Sequence, residues 1–196
     1  MPSVIRSLPV WVTVVTIAGL ALGFSLPTTR IDFFAFYPAI GWRNDWWRWL
    51  TASLVHLNTW HLLANLAGLL VCGWVAAARG INWAFPLMLI AIALSVLLGL
   101  GWGFPGVEWY VGLSGALYGV FAWLALEYVI CPTQLGQRGV GLLLLVGGLV
   151  KVGWDMHQPA TTVGWLHIVP IPAAHLCGYA AGIGLGLLVY SWRRGR

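Results

Sequence analysis

Charged residues are scarce in this sequence. Ten lysines and arginines and five acidic residues make up 8% of its 196 positions, while 60% of the residues are hydrophobic. A soluble domain carries about 25% charged residues, so the scarcity of charge predicts a membrane protein. The net charge of +5 does not predict nucleic-acid binding, because the basic residues are scattered and form no basic stripe.

Cysteine is scarce as well, with Cys72, Cys131 and Cys177 far apart and no C-x-x-C pair. We interpret them as buried thiols, which give no information about the redox compartment. Tryptophan is abundant, with fourteen residues. Several tryptophans lie near the ends of apolar segments, as in an interfacial aromatic belt: Trp42, Trp46, Trp47, Trp49, Trp102 and Trp109.

Six apolar segments reach or approach the roughly 20 residues that a transmembrane helix needs. We therefore predict an all-α, polytopic membrane protein with a single domain over residues 1–196. The first segment follows Arg6 as in a signal peptide, but its apolar run is longer and no A-x-A-like cleavage site follows. The predicted spans are approximately 8–26, 52–77, 83–102, 113–131, 138–156 and 173–192.

The arginines predict the orientation of the chain. The positive-inside rule favours cytoplasmic termini, because that orientation places six arginines on the inner side and three on the outer side. The second, fourth and sixth spans then all begin at the outer surface. The inner arginines are Arg6, Arg79, Arg138, Arg193, Arg194 and Arg196, and the outer ones are Arg30, Arg43 and Arg48.

Two outer connections are too long to be simple turns. Residues 27–51 contain the tryptophan-rich stretch "WRNDWWRWLT", which predicts an amphipathic segment lying in the membrane interface. Residues 157–172 contain three prolines and make a poor helix. We predict that this second connection forms a mobile cap over the adjacent spans.

Polar residues at membrane depth are costly and mark functional positions. In the second span, His61 and Asn65 are four residues apart and share one helix face. His56 lies about 140° around the same helix, so we predict that it ties the span to the first outer connection. A histidine such as His61, taken alone, is more often a hydrogen-bonded core residue.

Ser114 and His175 each begin a span that carries glycines at four-residue intervals. Such glycines let two helices approach closely, which predicts that the two side chains lie within hydrogen-bonding reach. Each pattern alone is more often a packing feature, whereas together they indicate a site. The glycines are Gly115 and Gly119 after the serine, and Gly178, Gly182 and Gly186 after the histidine.

These residue types predict nucleophilic catalysis. A serine hydroxyl becomes a nucleophile when an adjacent base takes its proton, and His175 is the candidate base and later acid. The backbone N–H of Ser114, the Asn65 amide and His61 are candidate donors to an oxyanion. Because no aspartate fits the pattern, we predict a dyad, with Tyr118 packed on the imidazole.

Two acidic residues of the spans have simpler interpretations. Lys151 and Asp155 are four residues apart on the fifth span, which predicts an ion pair. Glu127 lies near the inner end of the fourth span, where we expect it to reach Arg138 or water.

The order and spacing of these residues resemble the rhomboid family of intramembrane serine proteases over nearly the whole chain. Four motifs carry the resemblance: H-x-x-x-x-H-x-x-x-N at His56, His61 and Asn65; G-x-S-G-x-x-Y at Gly112, Ser114, Gly115 and Tyr118; A-H-x-x-G-x-x-x-G at Ala174, His175, Gly178 and Gly182; and a W-R motif at Trp47, Arg48 and Thr51.

The resemblance implies a six-span rhomboid-like bundle in which Ser114 is the nucleophile and His175 its base. It also implies that His61 and Asn65 donate to the oxyanion and that residues 157–172 gate the substrate. No cofactor or metal is implied. The partners are membrane-anchored protein substrates and the lipid bilayer, and the oligomeric state is not indicated.

Within rhomboids, "EWYVGLSG" at 108–115 and "KVGWD" at 151–155 look most like the rhombosortase branch. That likeness implies a bacterial inner-membrane protein. Its substrates would carry a C-terminal tail with a Gly-Gly motif, an apolar span and basic residues. Cleavage would take place near the outer membrane boundary.

Three alternatives remain. A catalytically inactive rhomboid-like protein would bind membrane spans without cutting them, although such proteins typically lack the serine or the histidine. A metal or haem protein would use histidines, but His56 and His61 are predicted to diverge, and no carboxylate or thiolate lies at ligand spacing. The other histidines are His157, His167 and His175. A transporter is disfavoured because paired broken helices are absent from the pattern.

Overall fold

A computed structural model describes residues 3–25, 31–39, 45–158 and 168–195. Within these ranges the chain forms eight helices. They are α1 (Ser3–Ser25), α2 (Ile31–Phe34), α3 (Arg48–Thr51), α4 (Thr59–Ala78), α5 (Ala84–Gly103), α6 (Ser114–Ile130), α7 (Gln137–His157) and α8 (Pro172–Arg194).

Four of the described helices, α4, α5, α7 and α8, are long and apolar enough to cross a membrane. Two shorter apolar helices accompany them, Leu8–Phe24 within α1 and Ser114–Ile130, which is α6. The predicted all-α membrane architecture is therefore confirmed, whereas a count of six spans stays a prediction.

The second span begins later than its apolar pattern predicted. The helix begins at Thr59 and not at residue 52, because Asn58 caps it in an extended conformation and its side chain accepts the backbone N–H of His61 at 2.9 Å. An asparagine in this position satisfies one of the N–H groups that the first turn leaves unpaired. His56 therefore lies on the non-helical segment before α4.

Helix α6 lies at the centre of the bundle and packs most extensively against α8. The two backbones touch along the predicted glycines. A Cβ atom on Gly178 would overlap the carbonyl oxygen of Gly115, and one on Gly182 would overlap that of Gly119. The close approach of these two helices, predicted from the glycine spacing, is thus observed.

Helix α7 is the least enclosed of the long helices. Only Gly141 and Val152 are buried among its residues, and a Cβ atom on Gly141 would lie 2.7 Å from the Ala125 carbonyl oxygen of α6. Helix α7 contacts α6 and α8 along one narrow face, so most of its apolar side chains are left to face lipid.

Arg48 organises the connection between α1 and α4. Its Nε donates to Asp45 at 2.7 Å, and one terminal nitrogen donates to the carbonyl oxygens of Asp32 at 2.5 Å and Ala35 at 2.7 Å. The Thr51 hydroxyl donates to the Phe34 carbonyl at 3.1 Å. These bonds hold the W-R segment against α2, at the end of the bundle where α6 begins.

The opposite end of the bundle carries an arginine cluster, formed by Arg79, Arg193 and Glu127. Arg79 donates to the carbonyl oxygen of Cys131 at 2.5 Å and to the Gln137 side chain at 3.0 Å. Arg193 pairs with Glu127 at 3.1 Å. Arg138, one of the two partners expected for Glu127, instead donates to the Val129 carbonyl, and α8 brings Arg193 to the carboxylate.

Candidate active site

Ser114 and His175 meet at one end of the α6–α8 contact. Ser114 is the first residue of α6, and His175 lies in the first turn of α8, which begins at Pro172. The imidazole Nε2 of His175 lies 3.1 Å from the Ser114 hydroxyl oxygen. The predicted proximity of the two side chains is therefore observed. His175 is buried, with 8% exposure, whereas Ser114 is partly buried.

Tyr118 covers one face of the His175 imidazole. The two rings are stacked, with their centroids 4.2 Å apart and an interplanar angle of 11°. Tyr118 follows Ser114 by one helical turn, which places its ring under the histidine as expected. Among the described residues, the Nδ1 atom of His175 has no hydrogen-bond partner.

Gly112 allows His61 to pack against the turn that precedes Ser114. Its φ of +109° is a conformation that L side chains rarely adopt, and a Cβ atom here would lie 2.7 Å from Cε1 and 2.9 Å from Nε2 of His61. The His61 ring thus occupies the space that a side chain at position 112 would fill.

Asn65 is buried one helical turn after His61. Its side-chain amide donates to the His61 carbonyl at 3.0 Å within α4. An asparagine amide has two N–H groups, so this bond leaves the second one for another acceptor. The part predicted for Asn65 at an oxyanion stays a prediction.

His56 contacts His61 directly, contrary to the predicted divergence of the two rings. Their centroids lie 5.0 Å apart with an interplanar angle of 72°. The prediction was wrong because it assumed a helix through residues 52–58. The Nδ1 of His56 lies 3.1 Å from the Leu54 carbonyl, and burial lowers the pKa of His56 to about 3. The ring is therefore neutral at pH 7.

The histidines that were considered for a metal or haem do not assemble in the described part of the chain. There, no group of three or more histidine, cysteine, aspartate or glutamate side chains is placed to hold a metal ion. His157 is at the end of α7, and its Nδ1 lies 2.8 Å from the Gly153 carbonyl. His167 lies outside the described residues, as do Trp42, Arg30, Arg43, Arg196 and residues 159–167 of the predicted cap.

Tyr110 belongs to this site and was not identified from the sequence. Its hydroxyl donates to the Gly112 carbonyl at 2.6 Å and accepts the Gly115 backbone N–H at 3.2 Å. Helix α6 has no side-chain N-cap, so Tyr110 supplies an acceptor for its first turn. Burial raises the pKa of Tyr110 to about 12, so the hydroxyl stays protonated at pH 7.

A short antiparallel bridge fixes Tyr110 beside the turn. The Phe36 N–H donates to the Tyr110 carbonyl at 3.0 Å, and the Tyr110 N–H donates to the Phe36 carbonyl at 2.8 Å. The Gly112 N–H donates to the Ala52 carbonyl at 2.8 Å. Helical periodicity did not reveal Tyr110 because this stretch is extended.

Lys151 and Asp155 lie in the last two turns of α7. They form the ion pair that their spacing predicted. Val152, between them in the sequence, belongs to a buried apolar cluster against which Tyr118 packs. This packing connects α7 to the ring that covers His175.

Residues 43–192 match the family model described as the rhomboid domain. That is most of the chain, and the matched range includes all four motifs. The chain belongs to the rhomboid family. It is an integral membrane protein, as the rhomboid domain and the apolar helices together indicate.

Individual rhomboid relatives are distant in sequence. The chain is 28% identical over 192 residues to the rhomboid protease GlpG of Pectobacterium atrosepticum, covering 92% of this chain and 60% of that protein. It is 31% identical over 114 residues to uncharacterized proteins of Mycobacterium bovis and Mycobacterium tuberculosis, covering 56% of this chain and 40% of theirs. The chain thus spans less than two thirds of the length of these relatives.

Proposed function

We propose that this rhomboid protein is an intramembrane serine endopeptidase that uses Ser114 and His175 as a catalytic dyad. The observation that supports this proposal best is the distance of 3.1 Å between the His175 Nε2 and the Ser114 hydroxyl oxygen. Hydrogen-bond contact between a nucleophile and its base is the geometric requirement of covalent catalysis by serine.

The dyad performs both halves of peptide hydrolysis. Nε2 of neutral His175 takes the hydroxyl proton while the Ser114 oxygen bonds to the substrate carbonyl carbon. The same nitrogen then gives this proton to the leaving amine, and the peptide bond breaks to leave an acyl-serine. A water molecule, deprotonated by His175, then attacks the acyl carbon. The ester bond to Ser114 breaks, and the proton on His175 returns to the serine oxygen, which releases the carboxylic acid product.

The oxyanion of the tetrahedral intermediate needs donors that are already in place. The N–H of Ser114 belongs to the first turn of α6, where backbone donors lack helical partners. For His61, the Leu57 N–H points to Nδ1 at 3.5 Å, which favours the tautomer with its proton on Nε2. We assign the Ser114 N–H, His61 Nε2 and the second N–H of Asn65 as oxyanion donors.

We also propose six membrane spans in a single domain over residues 1–196, with α1 and α6 as the two shorter spans. The arginine cluster lies at the end of the bundle opposite Ser114, which favours cytoplasmic termini by the positive-inside rule. The active site then opens toward the outer, periplasmic side of a bacterial inner membrane. Substrate cleavage follows at the outer boundary.

The substrate class is a membrane-anchored protein, and we propose that it carries a C-terminal tail with a Gly-Gly motif. The stretches "EWYVGLSG" and "KVGWD", which look like the rhombosortase branch, support this. The first stretch contains Tyr110 and Ser114, and the second contains Val152, which belongs to a buried cluster against which Tyr118 packs.

The test is cleavage by the purified protein in liposomes of two reporters, one with a Gly-Gly tail and one with a generic rhomboid substrate span. We expect faster cleavage of the Gly-Gly reporter. The Ser114→Ala and His175→Ala variants should cleave neither reporter, and their thermal unfolding should equal that of the wild type.

Cleavage retained by Ser114→Ala would refute the serine mechanism. Equal cleavage of both reporters would refute the rhombosortase assignment alone, and binding without cleavage by the wild type would favour an inactive client-binding rhomboid.

A further inference from the structure

The phenol of Tyr110 lies between the turn that precedes Ser114 and the start of α8. Tyr110 is 2% exposed and belongs to a buried apolar cluster that also contains Ala173 and Ala174 of α8. A Cβ atom on Gly115 would lie 2.9 Å from the Tyr110 hydroxyl and 3.0 Å from the Ala174 carbonyl oxygen. The hydroxyl is therefore buried where the first turns of α6 and α8 meet.

This hydroxyl bridges two peptide groups around Ser114. It donates to the Gly112 carbonyl at 2.6 Å and accepts the Gly115 N–H at 3.2 Å. The peptide group between these two joins Leu113 to Ser114 and carries the N–H that we assign to the oxyanion. Because peptide groups are planar, fixing the groups on both sides leaves the Ser114 N–H little freedom to turn.

The same hydroxyl fixes the conformation of Gly112. The Gly112 N–H donates to the Ala52 carbonyl at 2.8 Å, and its carbonyl accepts the Tyr110 hydroxyl. Both hydrogen-bonding groups of this residue are thus held, which stabilises the positive φ of +109°. His61 packs against Gly112, so the Tyr110 hydroxyl also supports the surface on which the His61 ring rests.

We propose that Tyr110 is a positioning residue of the oxyanion site, which acts through the backbone on either side of Ser114. Its hydroxyl holds both the first turn of α6, which carries the Ser114 N–H, and Gly112, against which His61 packs. The relative placement of two proposed oxyanion donors then depends on one phenol. This inference rests on the proposed protease function.

A tyrosine hydroxyl can do here what an ordinary N-cap side chain does not. A capping side chain accepts an N–H of the first turn, and Leu113 at the N-cap position of α6 makes no such bond. A hydroxyl both accepts and donates, so Tyr110 pairs the Gly115 N–H and the Gly112 carbonyl at once. Its own backbone is held by the two hydrogen bonds to Phe36, which keeps the phenol in place.

The experiment compares the wild type with Tyr110→Phe, which removes only the hydroxyl, in liposomes with the reporter that the wild type cleaves. The kcat is counted per site that labels with a fluorophosphonate, so that unfolded protein does not lower it. We expect kcat to fall about five- to tenfold, the effect of one lost hydrogen bond, with KM unchanged. The affinity for a peptide boronate, whose tetrahedral adduct places an oxygen in the oxyanion site, should fall by the same factor.

Tyr179→Phe is the matched control. Tyr179 is also 2% exposed, and its hydroxyl also donates to a backbone carbonyl, that of Leu145 at 2.5 Å. This variant should keep the kcat and the boronate affinity of the wild type. As a second variant, replacing Tyr110 with 4-aminophenylalanine keeps the ring and a donor for Gly112 but offers the Gly115 N–H only a weak acceptor. Its kcat should lie between those of the wild type and Tyr110→Phe.

The role of Tyr110 is refuted if Tyr110→Phe keeps the kcat and boronate affinity of the wild type, or if the amino variant keeps the wild-type kcat. An equal loss in Tyr179→Phe would also overturn the inference, because losing any buried tyrosine hydroxyl would then suffice. A rise in KM alone would indicate contact with substrate instead of positioning. A wild type that neither cleaves its reporters nor labels at Ser114 would refute the protease function itself.

Discussion

At the scale of single residues, Gly112 decides whether His61 can reach the turn before Ser114. Its positive φ costs an ordinary side chain about 1–3 kcal/mol, and a Cβ atom here would lie 2.7 Å from the His61 ring. Replacing Gly112 with a residue that has a side chain should therefore have two effects. It lowers the stability of the fold, and it displaces His61 from the proposed oxyanion site.

We predict that Gly112→Ala abolishes cleavage and lowers the midpoint of thermal unfolding, because His61 must move away from the turn. The matched control is Gly136→Ala. Gly136 also has a positive φ, of +83°, but nothing lies within 4 Å of its Cβ position. That variant should lose similar stability and keep its activity. If both variants retain full activity, His61 does not donate to the oxyanion from its present position.

The residues of the site differed in how far the sequence predicted them. Ser114 and His175 were paired correctly in space because both lie on helices, where spacing defines a face and glycines define a contact. Tyr110 was missed because it acts from extended backbone, where helical spacing defines no face.

At the scale of helices, the contact between α6 and α8 sets the distance between nucleophile and base. Each helix places a glycine against a carbonyl oxygen of the other, as with Gly178 and Gly115. A side chain on any of these glycines must push the two helix backbones apart. Ser114 is next to Gly115, and His175 is three residues before Gly178. A wider separation of the helices therefore also increases the distance between the serine and the histidine.

We predict that Gly178→Ala lowers the free energy of unfolding by about 1–3 kcal/mol, a typical effect of overpacking, and strongly reduces kcat. The control on the same helix is Gly184→Ala, whose added Cβ would meet nothing within 4 Å. That variant should keep both stability and activity. Thermal unfolding and reporter cleavage measure the two effects. Full activity in Gly178→Ala would mean that the dyad tolerates a wider helix separation than the structure has.

The boundaries of the helices were predicted less well than their type. Apolar composition continues from residue 52 into α4, so hydropathy alone placed the start too early. Asn58 decides the true boundary through one side-chain hydrogen bond. The same error separated His56 from His61, which shows how one misplaced helix start changes the predicted neighbours of a site.

At the scale of the whole molecule, the two ends of the bundle are built differently. The end with Ser114 holds aromatic and histidine side chains, buried backbone turns and the W-R segment. The other end holds the arginine cluster, where Arg79 links α4 to the connection between α6 and α7 and Arg193 links α8 to α6. Catalysis is thus proposed at one end while the other end fastens the helices together.

This separation predicts that stability and catalysis can be changed independently. Arg79→Met removes hydrogen bonds to the Cys131 carbonyl and the Gln137 side chain. We therefore expect the free energy of unfolding to fall by about 1–3 kcal/mol. The kcat, measured below the unfolding transition, should not change.

Arg194→Met is the control at the same end. Arg194 is exposed and contacts the Tyr190 ring at 5.3 Å, so its loss should change stability far less. A large fall in kcat for folded Arg79→Met would show that the two ends are coupled through α6, since α6 alone carries Ser114 at one end and contacts Arg79 at the other.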